Sequence, residues 1–195
     1  MEPNEVNETK NEISRGEKIR KEIFSWMRVL IFAAAAAFII NNVIIVNAEV
    51  PTGSMRETIA IHSRLVAFRL SYLFSDPQRS DVIVFRFPHN ESELHVKRII
   101  GLPGDTVDIV GGQVFINQST EPLDEWYLPE PPRDENLTFH VPPDCFFVMG
   151  DNRNYSLDGR GDQHVPQISP MYFLPRENIL GRAIFTYFPS IGFIR

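Results

Sequence analysis

A chain of 195 residues has room for one modest domain and a short appendage, which excludes two full catalytic domains. With 43% hydrophobic and 23% charged residues it falls among the globular chains, so collagen-like, low-complexity and wholly disordered classes are excluded. A formal net charge of −6 lacks the basic footprint needed to neutralise many phosphates, and nucleic acid is not an expected partner.

The first 14 residues, rich in Asn and Glu, read as a disordered tail, and residues 14–27 as a short amphipathic helix. From 29 to 48 the run VLIFAAAAAFIINNVIIVNA passes twenty residues without a charge, enough for a helix to cross a hydrocarbon core ~30 Å thick. Asn41, Asn42 and Asn47 weaken its second half, since buried amides need partners. Arg15, Lys18, Arg20, Lys21 and Arg28 precede the run, whereas the twenty residues after it carry only Arg56 and Arg64. The positive-inside rule then predicts a cytoplasmic segment at 1–28, a transmembrane helix at 29–48 and an extracytoplasmic domain at 49–195. Val46-Asn47-Ala48 also has the small-x-small form of a leader cleavage site. The charged lead and the apolar run are both longer than those of a cleaved leader, which favours an uncleaved anchor. A buried core helix fits less well, because no polar face appears from Val29 to Ile40.

Beyond Pro51 the pattern changes to short runs rich in Val, Ile and Phe, bounded by Pro, Gly and Asp: LVAFRL, DVIVFRF, LHVKRII, TVDIV, QVFIN, LTFHV, CFFVM and AIFTYF. These read as strands. TVDIV-GG-QVFIN carries the two-residue glycine turn of a tight hairpin, and the prolines from Pro88 onward break any long helix. The expected fold is mostly β, a folded sheet or partly open barrel behind one N-terminal transmembrane helix. The final ILGRAIFTYFPSIGFIR is expected to close the core as a last strand, with contact to lipid as the alternative. The single cysteine, Cys145, lies in the apolar CFFVM run and reads as a small packed hydrophobe.

Three segments differ from ordinary strand and turn material. In VPTGSMRETI, residues 50–59, Gly53 lets backbone approach a substrate and exposes the Ser54 hydroxyl, with a second hydroxyl at Thr52. Taken alone, the segment is better accounted for as a turn that ends a membrane helix, since Pro, Thr, Gly and Ser are common loop residues. In LHVKRIIGLPGD, residues 94–105, Lys97 shares a strand face with His95 and Ile99; it is either the solvated side of a strand or an inward lysine whose lost hydration favours the neutral amine, a usable base. In VMGDNRNYSLDGRGD, residues 148–162, Asp151, Asn152, Arg153, Asn154, Ser156, Asp158 and Arg160 crowd behind an apolar strand. They form either a surface Asx-rich turn or an internal network of ion pairs.

Taken together, Pro51-Thr52-Gly53-Ser54-Met55, Lys97-Arg98-Ile99-Ile100-Gly101-Leu102-Pro103-Gly104-Asp105, and Gly150-Asp151-Asn152-Arg153 followed by Ser156, Asp158 and Arg160 resemble, in order and spacing, the boxes of the type I signal peptidases. The compact, single-anchor bacterial form is the nearest match, with the interval 105–150 too short for the larger inserted subdomain of some relatives. The resemblance implies coiled antiparallel sheets with a Ser/Lys dyad in a groove whose apolar rim dips into the membrane. It implies Ser54 as nucleophile and unprotonated Lys97 as general base. The Ser54 N–H and the Thr52 hydroxyl would form the oxyanion hole, Ser156 would orient Lys97, and Asp151, Asn152, Arg153, Asp158 and Arg160 would support the site. No cofactor and no metal are implied. The substrates would be signal peptides of secretory preproteins cut after small residues at the first and third positions before the bond, with the lipid bilayer and the secretion machinery as partners.

The sequence departs from the family pattern at His95, often an aromatic there, and at Asn154 and Gly159, where Asp and Ser are commoner. A protonated His95 would disfavour charge on Lys97, although a packed strand histidine accounts for it too. The rivals are a specialised Ser/Lys processing peptidase of a secretion or pilus system and a non-catalytic leader-peptide-binding membrane protein. A Ser-His-Asp hydrolase is disfavoured: no G-x-S-x-G occurs, and His62, His89, His95, His140 and His164 match no motif.

Overall fold

The computed structural model describes residues 3–161 and 172–195, with side chains from residue 17 onward. The chain forms two compact units, Met1–Val43 and Ile44–Arg195.

The first unit is built on α1, Pro3–Ile39. The expected disordered tail is instead helical from Pro3, which takes the first helical position, where a missing N–H costs nothing. The helix is long and apolar enough over Glu17–Ile44 to cross a membrane, and Phe32 and Phe38 lie exposed on it at 75% and 68%. It does not run to residue 48. A π-helical turn spans Ile40–Ile44, and the Asn42 side-chain amide donates to the Phe38 carbonyl at 2.8 Å. Asparagine is a poor helix former, and the Val-Ile-Ile-Val run behind it suits a pleated strand better. The apolar run therefore leaves the α-helix after Ile39 and ends as the start of a strand from Ile45.

The second unit is antiparallel throughout. Its strands are β1 (Ile45–Val50), β2 (Ser63–Phe68), β3 (Val82–Phe87), β4 (Asn90–Gly101), β5 (Thr106–Val110), β6 (Gln113–Ile116), β7 (Leu137–His140), β8 (Cys145–Met149), β9 (Leu174–Pro175), β10 (Ile179–Phe188) and β11 (Gly192–Phe193). The larger sheet has the order β1-β2-β10-β3-β4-β8-β9, with β11 on β10, and the smaller has the order β6-β5-β7. Among the described residues β1 and β9 are open edges, so no barrel closes. Gly111 and Gly112 turn the β5–β6 hairpin at φ 59° and 80°, a left-handed pair that glycine adopts without strain.

Burial follows the strand period. Val82 and Val84 of β3 enter one core with Val46, Ala48, Leu65 and Val96, while Ile83, Phe85 and Phe87 enter a second with Ile99, Phe146 and Val148. Both faces of β3 are thus covered, which is why DVIVFRF shows no polar alternation. Each such side chain contributes about 1.5–3 kcal/mol. A third core joins Ile100, Phe147 and Met149 to Val107, Ile109 and Val114 of the small sheet. β10, expected to close the core, lies inside the sheet between β2 and β3. Ile191 and Phe193 beyond it stay exposed, at 80% and 79%.

Candidate active site

Ser54 sits in the turn between β1 and β2 and is 6% exposed. Lys97 lies on β4 in register with Ile83 of β3, 3% exposed, so its place is interior rather than on a solvated strand face. Its Nζ donates to Ser54 Oγ at 2.7 Å and to the Val96 carbonyl at 3.1 Å. Thr52 Oγ1 also donates to Ser54 Oγ, at 3.3 Å. The Ser54 N–H has no hydrogen-bond acceptor among the described residues.

Burial drives the Lys97 pKa down from 10.5 to about 8, against the opposing charges of Asp158 and Asp151. An ammonium without water is disfavoured, so the amine is neutral over much of the mildly alkaline range. Burial also pushes the Asp158 carboxyl up, but Arg160 and the Gly150 N–H outweigh it and keep the group below its usual value.

In the segment from Gly150 to Arg160, Asp151, Asn152, Arg153, Asp158 and Arg160 are buried and paired, while Tyr155 between them is exposed. Arg98 grips Asp151 with two bonds, at 2.9 and 2.7 Å, and Thr58 donates to the same carboxylate at 2.5 Å. Asn152 donates from its backbone to the Ser54 carbonyl and from its side chain to the Gly53 carbonyl, both at 3.0 Å. Asp158 accepts from the Gly150 N–H at 3.0 Å and from Arg160 Nε at 3.0 Å. Arg153 Nε donates to the Gly150 carbonyl at 3.2 Å. A Cβ on Gly150 would stand 2.2 Å from Ser156 Oγ and 2.5 Å from the Ser54 carbonyl oxygen, so only glycine fits. The surface Asx-turn alternative for this segment is set aside by burial: Asp151 and Asp158 are fully covered.

Ser156 does not bond to Lys97; its hydroxyl is buried without a partner among the described residues, close beside Gly150. His95 stacks flat on Phe87, ring centroids 4.4 Å apart and 6° from parallel. Burial and then the Lys97 charge hold its pKa down to about 4, which makes it a neutral packed ring. Cys145 packs at the third core, and burial raises its thiol pKa. Among the described residues no three His, Cys, Asp or Glu side chains converge as metal ligands. Asp162 and His164 lie outside the described residues.

A cleft of about 610 Å³ opens on the Ser54 and Lys97 side chains, lined by Glu49, Val50 and Pro51 on one flank and by Glu93, Leu94, His95 and Val96 on the other. Among the described residues β1 pairs only with β2, and the first part of β4 only with β3. Each flank therefore carries a strand with an open hydrogen-bonding edge. Arg98 and Gly150 stand inside the matching boxes without a role assigned there, and Thr58 lies outside them; Arg98 alternates to the opposite face from Lys97, and its partner lies 53 residues away.

Residues 23–188 match the family described as signal peptidase, peptidase S26. The chain belongs to that family. It is 40% identical to signal peptidase I of Leptolyngbya laminosa over 72% of this chain and 67% of that protein. It is 36% identical to probable signal peptidase I-1 of Synechocystis over 83% and 81%, and 31% identical to signal peptidase I of Bacillus amyloliquefaciens over 90% and 95%. The S26 match begins inside α1 and ends with β10, so it covers every strand of the sheet that carries Ser54 and Lys97 except the two-residue β11.

Proposed function

We propose that this chain is a membrane-anchored serine endopeptidase that removes N-terminal signal peptides from exported preproteins, with Ser54 as nucleophile and Lys97 as general base. The observation that carries the reading is the buried 2.7 Å contact between Lys97 Nζ and Ser54 Oγ. A serine hydroxyl is a weak nucleophile until a positioned base takes its proton, and an amine with pKa about 8 is matched to that task near neutral pH.

With Lys97 neutral, the hydroxyl donates to the amine. Proton transfer to Nζ accompanies attack of Oγ on the scissile carbonyl. The oxyanion so formed is met by the Ser54 N–H, which has no acceptor of its own, and by the Thr52 hydroxyl; such donors are typically worth ~10² to 10³ in rate. The Lys97 ammonium returns its proton to the leaving amine, the C–N bond breaks, and the signal peptide remains as an ester on Ser54. Neutral Lys97 then takes a proton from water as that water attacks the ester; the bond to Oγ breaks, the Lys97 ammonium returns that proton to Ser54, and the signal peptide leaves as a carboxylate. Asp151, Asn152, Arg153, Asp158 and Arg160 support this site, and Ser156 packs behind it.

The cleft fits an extended peptide added as a strand against β1, β4 or both, with backbone bonds for affinity and small pockets for side chains. Its apolar wall, with Val50, Val96 and Leu157, suits small residues at the first and third positions before the cut. α1 anchors the enzyme, and the basic residues before its apolar stretch favour a cytoplasmic N-terminus with the β unit outside. The bilayer and the secretion machinery are its surroundings.

The test is cleavage of a preprotein bearing an Ala-x-Ala site by the detergent-purified full chain beside Ser54→Ala and Lys97→Ala. Wild type is expected to cut after the second alanine, with both variants folded and inactive. A folded wild type that leaves such sites intact overturns the reading, and activity retained in Lys97→Ala removes the base. For orientation, a tag at the N-terminus should stay protected from protease added to intact cells.

A further inference from the structure

Between β6 and β7 the chain runs through residues 117–136 without helix or strand, and this stretch supplies partners to three buried arginines around the site. Glu125 takes both Nη atoms of Arg153, one at 3.0 Å, and the two side chains are 7% and 2% exposed. Tyr127 lies under the Arg98 guanidinium, 3.9 Å from ring centroid to Cζ, and donates its hydroxyl to Glu125 at 3.0 Å. Glu135 accepts from Arg160 at 2.9 Å. Asn154 ties the stretch down further, accepting from the Arg133 N–H at 2.8 Å and donating to Glu130 at 2.8 Å.

Each arginine reaches the dyad by a short route. Arg153 donates to the Gly150 carbonyl, Arg98 fixes Asp151, and Arg160 fixes Asp158, which holds the Gly150 N–H. Asn152, one residue beyond Asp151, holds the carbonyls of Gly53 and Ser54. Arg98 and Arg160 have carboxylates within the Gly150–Arg160 region, but Arg153 has none there, and Glu125 provides it. A buried guanidinium without its counter-charge is strongly disfavoured, so the turn cannot keep this shape with the stretch displaced.

We infer that residues 125–135 form a positioning clasp: Glu125, Tyr127 and Glu135, acting through Arg153, Arg98 and Arg160, set where the Ser54 turn stands relative to Lys97. These are positioning residues that touch neither substrate nor reacting atoms. The inference rests on the proposed reaction, and its test separates the two.

Glu125→Gln strips the counter-charge, and the pair Glu125→Leu with Arg153→Met replaces both partners by apolar groups, a change that folded proteins commonly tolerate. Both are assayed with the full chain in detergent, beside wild type and Ser54→Ala. A misplacement of ~1 Å costs up to ~10² in rate. The paired variant is expected to keep the wild-type Tm and a KM within about threefold while kcat falls tenfold or more. A paired variant with wild-type Tm and wild-type kcat overturns the clasp. So does a kcat loss that only mirrors the folded fraction. A second readout needs no turnover: the Lys97 side-chain NMR resonance, identified by its absence in Lys97→Met, is expected to titrate differently in the paired variant, and an unmoved titration overturns the inference. Failure of wild type to cut, with a shifted Lys97 titration in the paired variant, sinks the proposed reaction and leaves the clasp standing.

Discussion

Lys97 is costly to hold where it is. Its pKa falls from 10.5 to about 8, and each unit is worth ~1.36 kcal/mol, so burying the ammonium costs on the order of 3 kcal/mol. Below pH 8 the lysine is protonated both folded and unfolded, and the whole deficit is present. Between pH 8 and 10.5 the unfolded state binds the additional proton, so stability rises with pH through that window. Lys97→Met is therefore expected to be inactive yet more stable than wild type at pH 7, by an amount that shrinks toward pH 10; denaturant titrations at the two pH values check this. Cleavage by wild type should rise about tenfold per pH unit up to about 8 and level off above it, as the neutral base fills. His95, with a pKa near 4 and a ring laid on Phe87, stays neutral over that range. His95→Phe should leave the acid limb of the pH profile in place; a limb that moves by a unit would restore a tuning role for the histidine.

The elements around the dyad were legible from sequence to differing degrees, for physical reasons. The strands β2 to β8 and β10 announce themselves through β-branched and aromatic runs set off by Gly, Pro and Asp, and the Gly111-Gly112 turn fixes the β5–β6 register. β1 was hidden because its Ile-Val-Asn-Ala-Glu-Val sequence continues an apolar run, and hydropathy alone does not say where helix becomes strand. β9 and β11, two residues each, carry no periodicity at all. Ser54 and Lys97 were readable as residues of unusual setting, while the bonds from Asn152 to Gly53 and Ser54 and from Glu125 to Arg153 depend on long-range folding that no local pattern encodes. The Gly150 turn yields a sharp expectation: in Gly150→Ala the new methyl meets the Ser54 carbonyl oxygen at 2.5 Å and pushes the nucleophile away. Its kcat should drop ~10²-fold, with β-sheet circular dichroism retained. β1 yields another. Val46 and Ala48 are 5% and 7% exposed and belong to the first core, so a chain begun at Ile44 is expected to fold and one begun at Glu49 is not, as thermal unfolding would report. Val46 alone contributes about 1.5–3 kcal/mol of a domain stability of about 5–15 kcal/mol. For the same reason Glu49 should not appear as a new N-terminus in intact protein; its appearance with a folded domain would show that β1 is dispensable.

At the scale of the molecule, the topology sets an order of events. Ser54 belongs to the β1–β2 hairpin and Lys97 to the β3–β4 hairpin, and the larger sheet joins the two only through β10, which follows every other long strand in the chain. Hairpins can form as soon as they leave the ribosome or emerge across the membrane, whereas a strand inserted between them must wait for residues 179–188. The proposed nucleophile and base thus travel on separate pieces through most of biosynthesis. The newborn chain brings the Ser54 turn and Lys97 together only after its last long strand has arrived.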